Sequence, residues 1–228
     1  MSVKKAEMSA DIQEMFKAGA HFAFSKARRH PTFKKVIFGA KNGTEIIDLE
    51  KTEEMLRKVE EFIASLPKEK RLALFVTSKS EAKDIVRNAA ERAGLPFVSG
   101  RWIGGTLTNF EQTKKRVSKL EDLNQRKAKN ELTKYTKKER LLIDREIENL
   151  EKNFGGLRSL NRLPDLLFVI DSKKEDIAVT EAKKMNIPVI ALASSDCDLS
   201  KVNYAIAAND TARASVAFFT DKIVNALK

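Results

Sequence analysis

A single cysteine, Cys197, serves the whole chain of 228 residues. No intrachain disulfide can form, and a thiolate-rich zinc site is excluded. Histidine is nearly as scarce, with only His21 and His30. Glycine is not placed for holding phosphates. No G-x-G-x-x-G follows the apolar run LALFV at 72–76, where the turn reads Thr77-Ser78-Lys79-Ser80, and G-x-x-x-x-G-K-[ST] occurs nowhere. Nor is there an apolar run near the ~18 residues of a membrane span. The start, MSVKKAEMSADIQ, lacks the apolar stretch of a signal peptide. These absences point to a soluble, cytoplasmic protein with no cofactor, metal or small-molecule substrate.

Positive charge is abundant and unevenly placed. The formal net charge is +11. Residues 1–35 carry 8 Lys/Arg against 3 Asp/Glu, and residues 101–152 carry 14 against 9, so each segment nets +5. Residues 36–100 balance at 11 of each, and residues 153–228 net +1. Phosphate neutralisation needs clustered cations, so a polyanion would meet the two basic segments. The candidate nucleic-acid contacts are therefore Lys26, Arg28, Arg29, Lys34 and Lys35 in the first segment. In the second they are Arg101, Lys114, Lys115, Arg116, Lys137 and Lys138.

Hydrophobic periodicity gives the organisation. ADIQEMFKA at 10–18 predicts an amphipathic helix with Ile12, Met15 and Phe16 on one face, ended by Gly19. VIFGAKNGTEIID predicts a hairpin turning at Asn42-Gly43. Asp48 caps a helix over 50–66 with Met55, Val59, Phe62 and Leu66 on one stripe. LALFV, PFVSG, LLFVI, PVIAL and NYAIA then read as strands at 72–76, 96–100, 166–170, 188–192 and 203–207. Helices are expected between them at about 80–93 and 174–185, and over about 210–227 at the end. Ser78 with Glu81 has capping-box spacing for the first of these, and Gly94 closes it. This order implies a doubly wound parallel sheet, with an α/β domain formed by residues 1–108 and 153–228.

Residues 109–152 interrupt the alternation. Phe110, Thr113, Val117, Leu120 and Leu123 recur at helical spacing, as do Ile143, Ile147, Leu150 and Phe154, and Thr136 with Glu139 restarts the helix. The pattern predicts an inserted antiparallel, coiled-coil-like hairpin with its other faces charged all round. Gly104-Gly105 and Gly155-Gly156 stand near its two ends as hinges.

Chemistry-bearing residues are few. Asp171 follows a strand, where it suits either catalysis or a helix cap. Asp196 and Asp198 flank Cys197 and would raise its thiol pKa, which disfavours a reactive thiolate. A metal at His21, Asp196 and Asp198 requires the fold to bring them together. Trp102 is read as a wedge packing the hairpin against the sheet, and Arg101 beside it as an RNA contact. A nucleotide-dependent enzyme on the same fold is the alternative reading, since fold alone does not decide function.

Several long motifs resemble one family. RWIGGTLTNF at 101–110 closely resembles the R-W-x-G-G-x-L-T-N-F segment of the bacterial small-subunit ribosomal protein S-two family. GAHFAF at 19–24, IFGAKNGTEIIDLEKT at 37–52, KKERLLIDREIENLEKNFGGL at 137–157 and LPDLLFVIDSKKEDIAVTEAKKMNIPVIAL at 163–192 are similar to its other segments in the same order. The resemblance implies a flavodoxin-like sheet with an inserted helical hairpin. It also implies binding to small-subunit ribosomal RNA, contact with neighbouring ribosomal proteins, support for the large messenger-tethering protein, and no catalysis. The chain departs from the family pattern at Phe24, Ala27, His30, Ser194, Leu199 and Ala207-Ala208, which bears on any metal or partner contact there.

Overall fold

The computed structural model describes residues 9–228. The first eight residues, with Lys4 and Lys5 of the first basic segment, lie outside the described residues. Helix α1 spans Ala10–Lys17, capped by the Ser9 hydroxyl, and Gly19 follows at φ +72°. Two 3-10 turns, Lys26–Arg28 and Pro31–Val36, lead into an antiparallel hairpin of β1 (Ile37–Lys41) and β2 (Thr44–Ile47). Asn42 and Gly43 both take positive φ, as a twist-matched two-residue turn requires.

Asp48 caps α2, Leu49–Ser65. The inward stripe of α2 is Thr52, Leu56, Val59 and Ile63, whereas Met55, Phe62 and Leu66 sit at its half-buried margins. The expected stripe was rotated by one residue because Thr52, a polar residue, faces the sheet. Its hydroxyl donates to the Ala207 carbonyl at 2.6 Å. Phe16, expected on the inner face of α1, is 56% exposed.

The central sheet follows: β3 (Ala73–Val76), α3 (Ser80–Ala93), β4 (Phe97–Val98), α4 (Phe110–Ala128), α5 (Lys137–Phe154), β5 (Leu166–Ile170), α6 (Asp176–Lys184), β6 (Val189–Ala193), β7 (Tyr204–Ala207) and α7 (Arg213–Leu227). All five strands are parallel, in the order β4-β3-β5-β6-β7. That is the flavodoxin-like order, with the direction of winding reversing between β3 and β5. Side chains alternate strictly across the sheet. Phe75, Phe168, Ile170, Ile190 and Ile206 pack with α1, α2, α3 and α7. Leu74, Val76, Leu167, Val169 and Val189 pack with Trp102, Leu107 and α6. This two-sided burial is why the strands read as uninterrupted apolar runs.

Two local expectations are corrected. Ser78 does not cap α3: Lys79 occupies the cap position without a side-chain bond, and the Ser78 N–H donates to Glu175 instead. Gly155 is helical at φ −56°, so the second glycine pair is not a sharp turn. Gly156 is needed for close approach, because a Cβ there would stand 2.3 Å from the Phe97 carbonyl oxygen.

Helices α4 and α5 pack through Leu120, Leu123, Ile147 and Leu150. The seam is not continuous. Phe110 and Val117 turn instead to the apolar cluster of Trp102, Leu157 and Leu160, and Phe154 touches both clusters. The outer surface of α5 is not charged throughout, since Leu141 and Leu142 are exposed. Thr136 and Glu139 form the expected capping box.

Candidate nucleic-acid interface

The basic N-terminal segment is held by apolar anchors and backbone bonds, and its cations face outward. Phe33 and Val36 are buried with Ile47, Ala193, Cys197 and Ala207. The His30 N–H donates to the Ser195 carbonyl at 2.8 Å, the Phe24 N–H to the Ser195 hydroxyl at 3.1 Å, and the Leu199 N–H to the Thr32 hydroxyl at 3.2 Å. Lys26, Lys34 and Lys35 are exposed between these anchors, with no ion pair among the described residues. Arg28 lies over the Phe24 ring at 4.2 Å and 3.9 Å from Asp196, largely in solvent. Arg29 differs from the others. Its guanidinium meets Glu45 at 2.6 Å, with the two side chains 19% and 3% exposed. Its charge is therefore bound inside the fold.

The second basic segment leaves the sheet after β4. Arg101 is exposed, and Trp102 beside it is buried, as the packing reading expected. What positions them is Glu181 of α6. Its carboxylate accepts from Trp102 Nε1 at 3.1 Å and from the N–H groups of Gly105, Leu107 and Thr108 at 2.8, 3.0 and 3.2 Å. Burial alone would raise the pKa of Glu181, but these donors outweigh it and hold the carboxyl below its usual range. Beyond this clamp, Lys114, Lys115, Arg116, Lys137 and Lys138 are exposed and free of ion pairs among the described residues. Lys119 and Lys127 pair with Glu146 and Asp144 across α4 and α5. Arg145 and Lys152, also exposed on α5, were missed; their spacing to Lys138 at i, i+7 and i+14 was the available signal.

Both basic segments are anchored near the carboxyl end of the sheet, at strands that are not neighbours. One follows β4 and the other packs on the loop after β6. Those strands are three spacings apart, about 14 Å.

Between them lies the crevice where this fold commonly holds ligands. Here it is filled by protein. Lys79, after β3, sits 2.9 Å from Asp171 and 2.8 Å from Asp210, and all three are buried. Asp171 also accepts from the N–H groups of Lys173 and Lys174, so it closes the turn leading into α6 and does not cap the helix, whose N-cap position is Glu175. Burial pushes Asp210 up to about 6 despite the opposing Lys79 charge. The Lys79 ammonium is itself kept protonated, because the two carboxylates overcome the effect of burial. Cys197 is pushed to about 12, by burial first and then by Asp171. The sequence neighbours Asp196 and Asp198 are not the main cause. Neither the ammonium nor the thiol is a nucleophile at neutral pH in this setting.

Metal-ligating atoms of Asp171, Cys197 and Asp210 lie within 4.8 Å of one another. Lys79 already answers both carboxylates, and the thiol keeps its proton, so these residues do not make a ready ligand set. His21, Asp196 and Asp198 form no such group among the described residues. His21 lies against the rings of Phe16 and Phe22, Asp196 pairs with Lys173, and Asp198 caps the turn at Ser200. Among the described residues, no helix is long and apolar enough to cross a membrane.

A flavodoxin-like sheet with its usual ligand crevice closed by an internal ion cluster, and with cations displayed on two anchored segments, places the chain among the doubly wound α/β proteins. The chain matches the model of the family described as Ribosomal protein S2 over residues 15–228, and it belongs to that family. It is 44% identical over 214 residues to the small ribosomal subunit protein uS2 of Thermus thermophilus, covering 94% of this chain and 84% of the relative. It is 40% identical over 216 residues to the protein of that name from Koribacter versatilis, covering 95% and 72%. The family is one of structural ribosomal proteins, not of enzymes.

Proposed function

We infer that the chain is a structural component of the small ribosomal subunit that binds small-subunit ribosomal RNA in the cytoplasm. It binds through phosphates more than bases. The observation that supports this most is the division of its cations. Lys26, Lys34, Lys35, Lys114, Lys115, Arg116, Lys137 and Lys138 stand exposed and unpaired among the described residues, while the cation at the sheet crevice is locked between carboxylates. Clustered, uncommitted cations are what a polyphosphate partner recruits. Arg28 and Arg101 extend the surface, and Arg29 shapes it by holding Glu45. On this reading residues 1–108 and 153–228 form the body, and residues 109–152 an arm that shares the RNA with it. Neighbouring small-subunit proteins complete the surroundings. Support for the messenger-tethering protein rests on the family resemblance alone.

The test is sucrose-gradient fractionation of a lysate from growing cells. The chain should travel with small subunits in low-salt buffer. Its recovery only in the soluble fraction at the top of the gradient would refute the proposal.

A further inference from the structure

The arm of α4 and α5 has two roots on the sheet, and they differ in kind. On the α5 side the contact is steric, Gly156 against the Phe97 carbonyl. On the α4 side it is polar and rests on one side chain. Glu181 Oε1 accepts from Trp102 Nε1 and the Gly105 N–H, and Oε2 from the N–H groups of Leu107 and Thr108 and from the Thr108 hydroxyl. Gly105 takes φ +90°, which lets these N–H groups converge on one anion. The loop is also tied within itself. The Thr106 hydroxyl donates to the Ile103 carbonyl at 2.6 Å, and the Asn109 N–H to the Gly105 carbonyl at 2.8 Å. Helix α4 starts one residue on, and its cap residue Asn109 makes no side-chain cap bond. The anion held just ahead of its first turn comes from α6 instead. In turn α6 is fixed to the sheet by the buried Ala178, Val179 and Ala182.

Arg101 precedes this loop, and Lys114, Lys115 and Arg116 follow it within the first two turns of α4. All four are exposed, and all four take their place from the loop. We propose that Glu181 is a positioning residue for RNA binding: its two oxygens fix the direction in which the arm leaves the sheet, and so set the arm's cations relative to Lys26, Lys34 and Lys35 on the body. This rests on the ribosomal reading above and adds that the two basic segments meet the RNA as one preset surface. Presetting matters because freedom that is removed before binding is not lost during it. Charge, and not shape, performs the task. Both oxygens accept from N–H groups, so a glutamine of the same shape turns its own NH2 against those donors whichever way it lies.

Glu181→Gln and Glu181→Ala, as full chains beside the parent, test it in a filter-binding salt titration on small-subunit RNA. Both should bind about ten-fold more weakly, because ordering the arm then falls on the binding step. The salt slope should stay at the parent value, since the same phosphates are still neutralised. Formate brings a free carboxylate to the emptied loop. At constant ionic strength, with chloride as the balancing anion, it should restore Glu181→Ala and leave Glu181→Gln unchanged, because the amide still fills the place. Spin labels on Leu141→Cys and Lys184→Cys, both exposed positions, read the arm directly while the buried Cys197 stays unlabelled. The free parent should give one narrow distance, and both Glu181 variants a broad distribution that formate narrows for Glu181→Ala alone. Circular dichroism should show the parent's helix content throughout. Parent-like affinity and distances in Glu181→Gln, no rescue by formate, or a flattened slope with lost helix content overturns the positioning role alone. Failure of the parent chain to bind small-subunit RNA overturns the ribosomal reading and this role together.

Discussion

At Lys79 one ammonium answers two buried carboxylates, Asp171 and Asp210. Replacing it by Met leaves both without a counter-charge, and removing one partner of a buried pair typically costs about 3–5 kcal/mol. Urea unfolding of Lys79→Met should show a loss of that size, and a loss below about 1 kcal/mol would contradict the geometry. Asp210 supplies a pH test. Its folded pKa of about 6 lies above its ordinary value of 3.8. The folded state therefore holds the proton more tightly. The stabilisation from this group is full below the ordinary value and is lost as pH rises through about 6. Asp210→Asn removes that loss, so the stability of the variant relative to the parent should climb from about pH 4 to pH 6 and level above. A relative stability that falls over this window would show the sign to be wrong. Little of this cluster was legible in the sequence. Asp171 stood out because it follows a strand, but Lys79 lies in a turn of four polar residues and Asp210 near the other end of the chain. Only the parallel sheet order brings them together.

Elements were far more legible than sites, for a physical reason. The buried strands have no polar face, and Asn42-Gly43, Gly94 and the Thr136–Glu139 box carry their own local geometry. What failed were inferences that depended on a partner. Ser78 matches a capping box by spacing, yet its N–H is taken by Glu175 from the segment leading into α6. Gly155-Gly156 suggested a hinge because glycine permits turns, but its second residue serves packing against the edge strand β4. Gly156→Ala puts a methyl into the Phe97 carbonyl, a backbone atom that cannot swing aside. The melting temperature should fall by roughly 2–12 °C, as for an overpacking cost of about 1–3 kcal/mol in a chain of this size. Gly39→Ala, where no atom lies within 4 Å of a Cβ, should change it little. Equal effects at the two positions would mean that Gly156 is not a close-approach site. The hairpin seam shows the same limit: heptad spacing was visible, but not that Phe110 and Val117 would leave it for the cluster of Trp102 and Leu157.

At the scale of the molecule, charge segregation was readable directly from the chain, and the structure refines which charges are available. Arg29 belongs to the same basic run as Lys26 and Arg28, yet it is bound to Glu45 within the fold. Sequence cannot separate these roles, because they depend on where β2 lies. The central claim is that RNA affinity resides in the uncommitted cations. It is tested most directly by a filter-binding salt titration on small-subunit RNA with two quadruple variants. One replaces Lys26, Arg28, Lys34 and Lys35 by Ala, leaving Arg29 in place; the other replaces Lys173, Lys174, Lys183 and Lys184. The first should bind more weakly and flatten the salt slope by up to about 0.9 for each phosphate that the variant no longer neutralises, taking duplex DNA as the guide. The second should stay close to the parent in both affinity and slope. Equal losses of affinity in the two variants would contradict the assignment of the RNA face to the segregated cations.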